Sequence, residues 1–305
     1  MIDLDMTRTK LDNYMNAYLT SKEAMYSRRG GSEVIEAAKH AVLTGGHRWR
    51  PLITFGSAYL RNTILEHEVL PIAASIELIH ASTLVLDDMP FFDNEKIRRG
   101  METVHVKYHE DTAMLAQNGL LEWSTDLINE NVEGEKKTKI FRVRSEAVDH
   151  LLAGQSLDSK ILSGQPIGKI KQRFINSEQD AIRFYADKAG SLFVAAALAG
   201  AYLRGASESE ITHLREFSNA LGIAYQAIDD IKDKNKDIAV ARRRLGGRKD
   251  AAIMTPASVL GIGGVRRIRK RYENIVDSLL ESLSGDKGYL KAVVEEMRKE
   301  SAKIH

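Results

Sequence analysis

Apolar residues recur every three to four positions through most of this chain, the spacing that places them on one face of an α-helix. Strand-like alternation of polar and apolar residues with β-branched side chains is scarce. The pattern predicts an all-α fold, a single-domain helical bundle around a central cavity. The predicted helices cover 3–20, 32–43, 50–63, 69–88, 110–130, 140–163, 178–203, 207–231 and 257–283.

Two of the predicted helices are apolar around most of their circumference, which is typical of helices buried on all sides. One is PIAASIELIHASTLVL, which leads to Asp87, and the other is FSNALGIAYQAI, which leads to Asp229. Carboxylates that end such a helix are destabilised unless a positive charge lies between them. Acidic pairs also occur on solvated helix faces, but the buried helices here favour a functional role for both clusters.

The first cluster lies in LVLDDMPFFDNEKIRRG and contains Asp87, Asp88 and Asp93. Asp87 and Asp93 would point away from each other on a continuous helix. Pro90 disfavours the helical conformation at the residue before it, so the helix is expected to end at Met89. The chain can then turn back and bring Asp93 near Asp87.

The second cluster lies in YQAIDDIKDKNKD and contains Asp229, Asp230 and Asp233. Asp229 and Asp233 are four residues apart, so their side chains are neighbours on one helix face. Hard oxygen ligands of this kind suit Mg²⁺ held jointly with phosphate oxygens. Arg98 and Arg99, just after the first cluster, carry planar donor groups that match phosphate. These residues predict a site that binds a diphosphate through metal.

Seven segments, in one order along the chain, are similar to the motifs of a single family. They are GGHRWRP at 45–51, ELIH ending at His80, the aspartate cluster with RRG at 87–100, METVHVKYHEDTAMLAQNGLL at 101–121, GQSLD at 154–158, KAGSLF at 188–193 and YQAIDDIKD at 225–233. The chain resembles the trans-isoprenyl diphosphate synthases, the polyprenyl synthetase family that includes geranylgeranyl and farnesyl diphosphate synthases. The resemblance implies one polyprenyl-synthetase-like domain over 1–305 with the isoprenoid synthase fold.

The resemblance also implies Mg²⁺, about three ions when diphosphate is bound, between an allylic diphosphate and both aspartate clusters. The implied metal ligands are Asp87, Asp88, Asp93, Asp229 and Asp233. Asp230 and Lys188 complete the implied catalytic set, and Arg98 and Lys188 are implied to hold the same diphosphate.

The family's site for isopentenyl diphosphate is basic and free of metal. By resemblance its contacts here are Arg50, His80 and Arg99, with His47 where the family has lysine and Gln226 between the two substrates. Cationic groups and metal stabilise charge on the departing pyrophosphate, so the allylic carbon ionises and the isopentenyl double bond attacks it. No side-chain nucleophile is needed for this reaction.

Two residues depart from the family pattern, and the first of them lies in the isopentenyl site. His47 replaces a permanently charged lysine with a group that is largely neutral at pH 7. Ile253 stands two residues before Thr255, where the family usually has a lysine, and Lys249 could substitute for that lysine only if the loop is arranged differently. These changes leave the fold expectation intact and raise the possibility of a different acceptor.

Product length is expected to depend on the residues four and five positions before Asp87. In the family, bulky side chains there stop growth near C15, and here they are Thr83 and Ser82. Small residues favour a deeper cavity and a C20 product, although Trp123 or another helix could supply a floor. The alternative is that both are ordinary helix-packing residues.

Composition agrees with one globular, cytoplasmic domain. The chain has 305 residues, 43% hydrophobic residues and five prolines. Cysteine is absent, which excludes disulfides, and the sequence MIDLDMTRTK lacks the apolar core of a signal peptide. The apolar stretch GSLFVAAALAGAYL from Gly190 is too short to span a bilayer, so no transmembrane segment is expected. A homodimer is expected from the family, and dimers are the commonest assembly.

A basic block between Arg242 and Arg271 carries ten Lys or Arg and one acid, Asp250. Such a block could meet nucleic acid or anionic lipid. No nucleic-acid module accompanies it, so a solvated face is favoured and no nucleic-acid partner is expected. The glycine-rich, charged stretch 242–250 has the composition of a lid that closes over diphosphate.

Three functions are compatible with these residues. The favoured one is chain elongation by isopentenyl diphosphate to a C15–C20 product. The second is a diverted member, an irregular prenyl-coupling enzyme or a class I terpene cyclase that uses an allylic diphosphate without the usual acceptor. The third is a regulatory synthase subunit, which is disfavoured because all six motif aspartates are present.

Overall fold

The chain folds into two compact units. The computed structural model describes residues 2–61, 64–163, 175–244 and 255–302, with the backbone alone at 159–163 and 233–244. Unit 1 comprises Met1–Arg142, Ala196–Ala206 and Gly285–Glu295, and unit 2 comprises Val143–Ala195, Ser207–Ser284 and Glu296–His305. Each unit is assembled from three separate stretches of chain. The single domain expected from the sequence stays a prediction.

Unit 1 is built from helices and one short hairpin. Its elements are α1 (Leu4–Ser27), α2 (Ser32–Leu43), α3 (Trp49–Ala58), α4 (Glu66–Asp88), β1 (Ile97–Arg98), β2 (Met101–Glu102), α5 (Val104–Tyr108), α6 (Glu110–Asn131) and the first part of α7 (Gly134–Ser163). Within the described residues β1 and β2 are the only strands, and they pair antiparallel. Two further helices belong to unit 1 in part. They are α9 (Ser191–Leu203), from Ala196 onward, and α12 (Gly288–Ala302), up to Glu295.

Helix α4 forms the core of unit 1, as its all-round apolar sequence predicts. Most of its residues from Val69 to Val85 are buried, and it packs against α6 and α3. By length and hydropathy alone it is the one described helix that could cross a membrane, with a mean hydropathy of 1.8. Since 72% of that apolar window is buried inside the protein, a core helix explains the same composition. This helix is longer than the 14-residue apolar stretch from Gly190.

Unit 1 also contains a very close approach of two helices. A Cβ added at Gly200, in α9, would overlap the backbone carbonyl of Thr54, in α3. Only glycine has no side chain there, so the two backbones can touch. A neighbouring apolar cluster joins α4, α6, α7 and α9 and contains Ile72, Ile128, Val132, Ile140, Ala199 and Leu203.

Unit 2 is also helical. It contains the remainder of α7, α8 (Glu178–Tyr185), a π-helix (Ala186–Gly190), the start of α9, α10 (Glu208–Arg244), α11 (Pro256–Ser282) and the end of α12. α11 is kinked at Gly261, whose φ is +70°. α8, α10 and α11 enclose an apolar cluster formed by Ile175, Ala181, Ile182, Phe184, Tyr185, Ile223, Ala227, Ala257, Val265 and Ile268.

The predicted helices are present, with several corrections. The predicted helix 207–231 was too short, because α10 continues to Arg244. The second aspartate cluster therefore lies within a helix and does not end one. The predicted helix 178–203 contains the π-helix, and α5, α12 and the β1–β2 hairpin were not predicted. Of the proposed lid 242–250, positions 242–244 are helical and the rest lies outside the described residues.

Candidate active site

The first aspartate motif is a helix end followed by a tight turn. α4 ends at Asp88, and Met89 after it has ψ +151°, outside the helical region as Pro90 requires. The chain then reverses, and the amide of Asp93 donates to the carbonyl of Asp87 at 2.9 Å. The turn is closed further by Asn94, whose amide donates to the Met89 carbonyl at 3.0 Å. The predicted proximity of Asp87 and Asp93 is confirmed, and both side chains are half-buried.

Asp88, between these two residues, is held by an arginine. Arg98 donates from Nε and Nη2 to the two Asp88 oxygens at 2.7 and 2.6 Å. Asp88 is only 4% exposed, so this planar two-point contact satisfies a carboxylate that water does not reach. Burial alone would lower the pKa of Arg98, but the hydrogen bonds and charge of Asp88, with the charges of Asp87 and Asp93, raise it above its ordinary value.

The arginine pair sits at a hairpin turn. Arg98 ends β1, and Arg99 and Gly100 have φ of +54° and +79°, the positive values that a two-residue I′ turn needs. The turn directs Arg99 to the backbone carbonyl of Gly45 and against Gly46, where a Cβ would overlap its guanidinium. The RRG segment therefore contacts the GGHRWRP segment.

GGHRWRP is anchored by Arg48, for which the sequence predicted no role. Arg48 is 4% exposed and has φ +57°, a left-handed conformation. Its guanidinium donates to Asp12 at 2.9 Å, to Glu77 at 2.8 Å and to the Val42 carbonyl at 2.6 Å. These bonds tie the start of α3 to α1, α2 and α4. The signal in the sequence was that GGHRWRP contains two arginines, Arg48 as well as Arg50.

The predicted contacts of isopentenyl diphosphate lie beside this anchor. Arg50, at the start of α3, is 3.3 Å from His80 Nε2. Burial, followed by the charges of Arg50, Arg99, Arg98 and Arg48, lowers the pKa of His80 well below its usual value. His80 is therefore neutral at pH 7 and accepts from Arg50 through Nε2. The structure thus brings together three of the predicted contacts.

His47 lies on the exposed side of the same segment. Its ring stacks on Trp49 with a centroid distance of 4.9 Å and an interplanar angle of 5°. The Arg8 guanidinium lies 5.3 Å from the Trp49 ring centre, and its Nε donates to the His47 carbonyl at 3.0 Å. The stacking fixes the imidazole where the family has a flexible lysine.

The second aspartate motif lies on α10, and its first two aspartates differ in environment. Asp229 is half-buried and 3.4 Å from the Lys232 ammonium. Asp230 is 7% exposed and accepts from the Tyr185 hydroxyl at 2.5 Å. Gln226, one turn earlier, is half-buried.

The buried Asp230 carboxyl has an altered acidity. Burial raises the pKa of Asp230 to about 6, although the Tyr185 hydrogen bond, the Lys188 charge and the Ala257 amide favour its ionised form. The side chain of Asp233 lies outside the described residues, as do Lys249 and Ile253.

Lys188 lies in the π-helix and pairs with an aspartate of α7. Its ammonium donates to Asp158, the last residue of GQSLD, and lies 5.7 Å from the Phe184 ring centre. Gly154, one turn before Asp158, allows this contact because a Cβ there would lie 3.1 Å from the Lys188 backbone. The sequence marks GQSLD as a motif by resemblance but does not indicate a role for Asp158.

Ser82 and Thr83 are placed on the last turns of α4. The Ser82 hydroxyl donates to the Ile79 carbonyl and the Thr83 hydroxyl to the His80 carbonyl, each at 2.8 Å. Ser82 is buried and Thr83 is half-buried. Their role in product length stays a prediction.

The carboxylates fit a metal that arrives with a phosphate ligand. Among the side chains that the structure describes, no three His, Cys, Asp or Glu residues are grouped closely enough to hold a metal ion by themselves. Mg²⁺ keeps several waters and is usually held by one or two carboxylates together with substrate phosphates. In unit 1 the half-buried Asp87 and Asp93 offer such hard oxygen ligands, and in unit 2 the half-buried Asp229 offers another.

The described part of the basic block is partly neutralised. On α11, Arg269 pairs with Glu273 at 2.8 Å and Arg271 with Glu178 at 3.3 Å. Arg266 and Lys270 are exposed and line a cleft with Arg298, which pairs with Asp277. This arrangement agrees with the solvated face that the sequence favoured.

Comparison with known proteins assigns the chain to a family. A family model described as polyprenyl synthetase matches residues 32–297. Geranylgeranyl pyrophosphate synthase 6, mitochondrial, from Arabidopsis thaliana is 30% identical over 268 residues, covering 84% of this chain and 76% of that protein. The geranylgeranyl diphosphate synthase of Cyanophora paradoxa is 29% identical over 252 residues, covering 82% and 81%. The chain belongs to the polyprenyl synthetase family and is a trans-prenyltransferase.

Solved structures show the same fold. The geranyltranstransferase of Thermotoga maritima has a TM-score of 0.76 and 25% identity, covering 98% of this chain and 99% of that one. The geranyltransferase of Helicobacter pylori, complexed with magnesium and isoprenyl diphosphate, has a TM-score of 0.70 and 24% identity, covering 88% of each chain. The expected all-α isoprenoid synthase fold is confirmed.

Proposed function

We propose that this protein condenses an allylic diphosphate with isopentenyl diphosphate in a Mg²⁺-dependent reaction and forms a C15–C20 prenyl diphosphate, with C20 geranylgeranyl diphosphate favoured. The observation that carries the proposal is the turn that brings Asp87 and Asp93 together beside the cationic group of Arg50, Arg98 and Arg99. Carboxylates for metal and arginines for phosphate then lie close together in unit 1. The family membership supports the same reaction.

The metal-dependent half of the reaction is assigned to both aspartate motifs. By resemblance, Asp87 and Asp93 of unit 1 and Asp229 and Asp233 of unit 2 would hold Mg²⁺. Bound Mg²⁺ would neutralise the diphosphate and make it a better leaving group. Lys188 would add a positive charge to the same diphosphate, and Asp158 keeps its ammonium in place until then.

The isopentenyl half is assigned to arginines around a neutral histidine. Arg50 and Arg99 supply permanent positive charge, which suits a diphosphate bound without metal. His80 is neutral at pH 7, so its imidazole orients Arg50 by accepting a hydrogen bond. His47 would contribute a ring nitrogen in place of the family's lysine, and Gln226 would lie near the reacting carbons.

The chemical step then needs no side-chain nucleophile. The bond between the allylic carbon and the diphosphate oxygen breaks, and the π electrons of isopentenyl diphosphate form the new carbon–carbon bond. The proton lost from the resulting cation goes to the released pyrophosphate. The protein's part is to hold both diphosphates and exclude water from the cation.

Small side chains before the first motif support the longer product. Ser82 and Thr83 would leave room for a growing tail where bulkier residues would stop it. About three Mg²⁺ ions, a homodimer and a cytoplasmic location are part of the proposal on the grounds given from the sequence.

The test is to incubate the purified protein with Mg²⁺, isopentenyl diphosphate and, in turn, dimethylallyl, geranyl or farnesyl diphosphate, and to identify products by mass spectrometry. A C20 diphosphate is expected. Consumption of the allylic substrate without isopentenyl diphosphate would overturn the proposal in favour of a diverted prenyltransferase or cyclase. Asp87→Asn should abolish turnover, and Asp149→Asn, which changes an exposed helix aspartate, is the matched control.

A further inference from the structure

Tyr185 is a tyrosine whose hydroxyl is not explained by packing. It ends α8, is fully buried, and lies in the apolar cluster of unit 2, where a phenylalanine ring would fill the same volume. A buried hydroxyl is destabilising unless it is hydrogen-bonded. Here it donates to Asp230 Oδ2 at 2.5 Å, across 45 residues of sequence. The contact links α8 directly to the second aspartate motif.

Asp230 faces the protein interior while its neighbour Asp229 is accessible. Asp230 is 7% exposed and Asp229 is half-buried. The Asp230 carboxyl also accepts from the backbone amide of Ala257, in the first turn of α11. Two helices other than its own thus fix this carboxyl, and neither bond is available to a ligand.

The rotation of α10 about its axis follows from these bonds. Successive residues of an α-helix are about 100° apart around the axis. When the Asp230 carboxyl is fixed on the inner side, the direction in which Asp229 projects is fixed as well. A displacement of about 1 Å in a positioned group can lower activity about 100-fold. An anchor at Asp230 therefore determines how well Asp229 can serve as a ligand.

Tyr185 also lies close in sequence to Lys188, the other charged group considered in unit 2. The π-helix begins at the next residue, and Lys188 lies three residues after Tyr185. π-Helical turns occur frequently at functional sites. In this short segment the Tyr185 hydroxyl donates to Asp230 and the Lys188 ammonium donates to Asp158. A change at Tyr185 is thus expected to reach the metal motif through the Asp230 carboxyl group.

We propose that Tyr185 is a positioning residue for the second aspartate motif, acting through Asp230 to hold Asp229 in the orientation that binds metal–diphosphate. This inference rests on the proposed function and adds to it a residue that touches neither substrate nor metal. Partners of metal-binding groups typically change metal affinity or activity about 10- to 100-fold when they are removed. A change of that size is expected here.

The test uses Tyr185→Phe, which removes the hydroxyl and keeps the ring. Tyr272→Phe is the matched control, because Tyr272 packs against the same apolar cluster, whereas Tyr185 is the hydroxyl donor to Asp230. The first measurement is the Mg²⁺ concentration for half-maximal turnover. It should rise about 10- to 100-fold in Tyr185→Phe, with KM for isopentenyl diphosphate unchanged, and stay at the wild-type value in the control.

The second measurement does not depend on turnover. It is the increase in Tm produced by Mg²⁺ with inorganic pyrophosphate, recorded for the wild type, Tyr185→Phe, Asp230→Asn and the double variant. Tyr185→Phe should need about 10- to 100-fold more Mg²⁺ for the same increase. In the Asp230→Asn background the Tyr185 change should shift that requirement less than twofold, because the tyrosine acts through the carboxylate.

Each outcome decides between positioning and simple packing. A lower Tm in Tyr185→Phe with an unchanged Mg²⁺ requirement would show that the hydroxyl serves stability alone. An equal effect in the Asp230→Asn background would show that it acts by another route. No increase in the wild-type Tm with Mg²⁺ and pyrophosphate would also overturn the inference. A normal increase without isopentenyl condensation would overturn only the proposed function.

Discussion

The amide of Asp93 donates a hydrogen bond to the carbonyl of Asp87 across 2.9 Å. These residues are six positions apart, and on a continuous helix they would face different directions. Their meeting depends on the end of α4 at Asp88 and on the non-helical conformation of Met89. The backbone reversal after Asp88 thus brings together two aspartates that a continuous helix would keep apart.

Replacing Pro90 tests this reversal. Pro90→Ala removes the restriction on Met89 and allows α4 to continue, which would carry Asp93 away from Asp87. We expect kcat/KM to fall about 10- to 100-fold, the range that follows a displacement of about 1 Å in a positioned group. Steady-state kinetics and far-UV circular dichroism would check it. Unchanged kinetics would mean that the turn does not need the proline.

The Asp88–Arg98 pair gives a second prediction. Arg98→Lys keeps the charge but cannot make the two parallel bonds to Asp88. Hydrogen bonds to charged groups contribute about 1.5–3 kcal/mol, so losing one should destabilise unit 1 by about that amount. Chemical denaturation would measure the loss. Arg267→Lys, at an exposed position of α11, is the control and should change stability by less than about 0.5 kcal/mol.

The lowered pKa of His80 predicts a loss of stability in acid. The unfolded chain protonates this histidine below about pH 6.5, whereas burial and four arginines keep it neutral in the folded chain. The unfolded state then binds more protons, so the free energy of unfolding falls as pH decreases, by at most about 1.4 kcal/mol per pH unit.

Chemical denaturation at pH 7.5, 6.5 and 5.5 would check the His80 prediction. His80→Gln keeps a hydrogen-bond acceptor for Arg50 and does not titrate, so its acid loss should be smaller than that of the wild type. Equal losses in both proteins would mean that other groups cause the acid sensitivity.

Gly200 and Gly263 should respond oppositely to the same substitution. Gly200→Ala would place a Cβ inside the Thr54 carbonyl and should destabilise the protein by about 1–3 kcal/mol or more. At Gly263, on α11, the nearest atom to an added Cβ is a flexible Arg267 nitrogen at 3.9 Å. Gly263→Ala should therefore stabilise by up to about 1 kcal/mol through helix propensity. Thermal unfolding of both variants measures this contrast.

Thr83→Phe tests the prediction of product length. A phenyl group four residues before Asp87 should shorten the main product from C20 to C15, if the growing tail passes this position. Thr83→Val removes the hydrogen bond to His80 without adding bulk and should leave the length unchanged. Product analysis by mass spectrometry decides. A C20 product from Thr83→Phe would place the floor of the cavity elsewhere.

Local rules in the sequence predicted the parts of the site that depend on neighbouring residues. The end of α4 followed from Pro90, and the buried character of α4 followed from its apolar circumference. The helix end and the turn between Asp87 and Asp93 were thus predicted from the sequence, whereas the β1–β2 hairpin that carries Arg98 and Arg99 was not.

Other features depended on signals that are weak or distant. α10 runs past residue 231 because its charged continuation contains no proline or glycine until position 246. α12 carries Leu290, Val293 and Val294 at helical spacing, a signal that was present and overlooked. The Tyr185–Asp230 bond joins residues 45 positions apart, and no spacing rule reports such a partner.

Each aspartate motif begins with a pair whose second member, Asp88 or Asp230, is held by a partner inside the protein. An alanine scan would therefore show a loss of activity at all four residues. At Asp87 and Asp229 the cause would be a lost metal ligand, and at Asp88 and Asp230 it would be a lost contact inside the protein. An engineer who wants a different metal or substrate has Asp87 and Asp229 to vary. Asp88 and Asp230 can be exchanged only together with Arg98 and Tyr185, so each position is constrained by a partner, which lies 10 residues away for Asp88 and 45 residues away for Asp230.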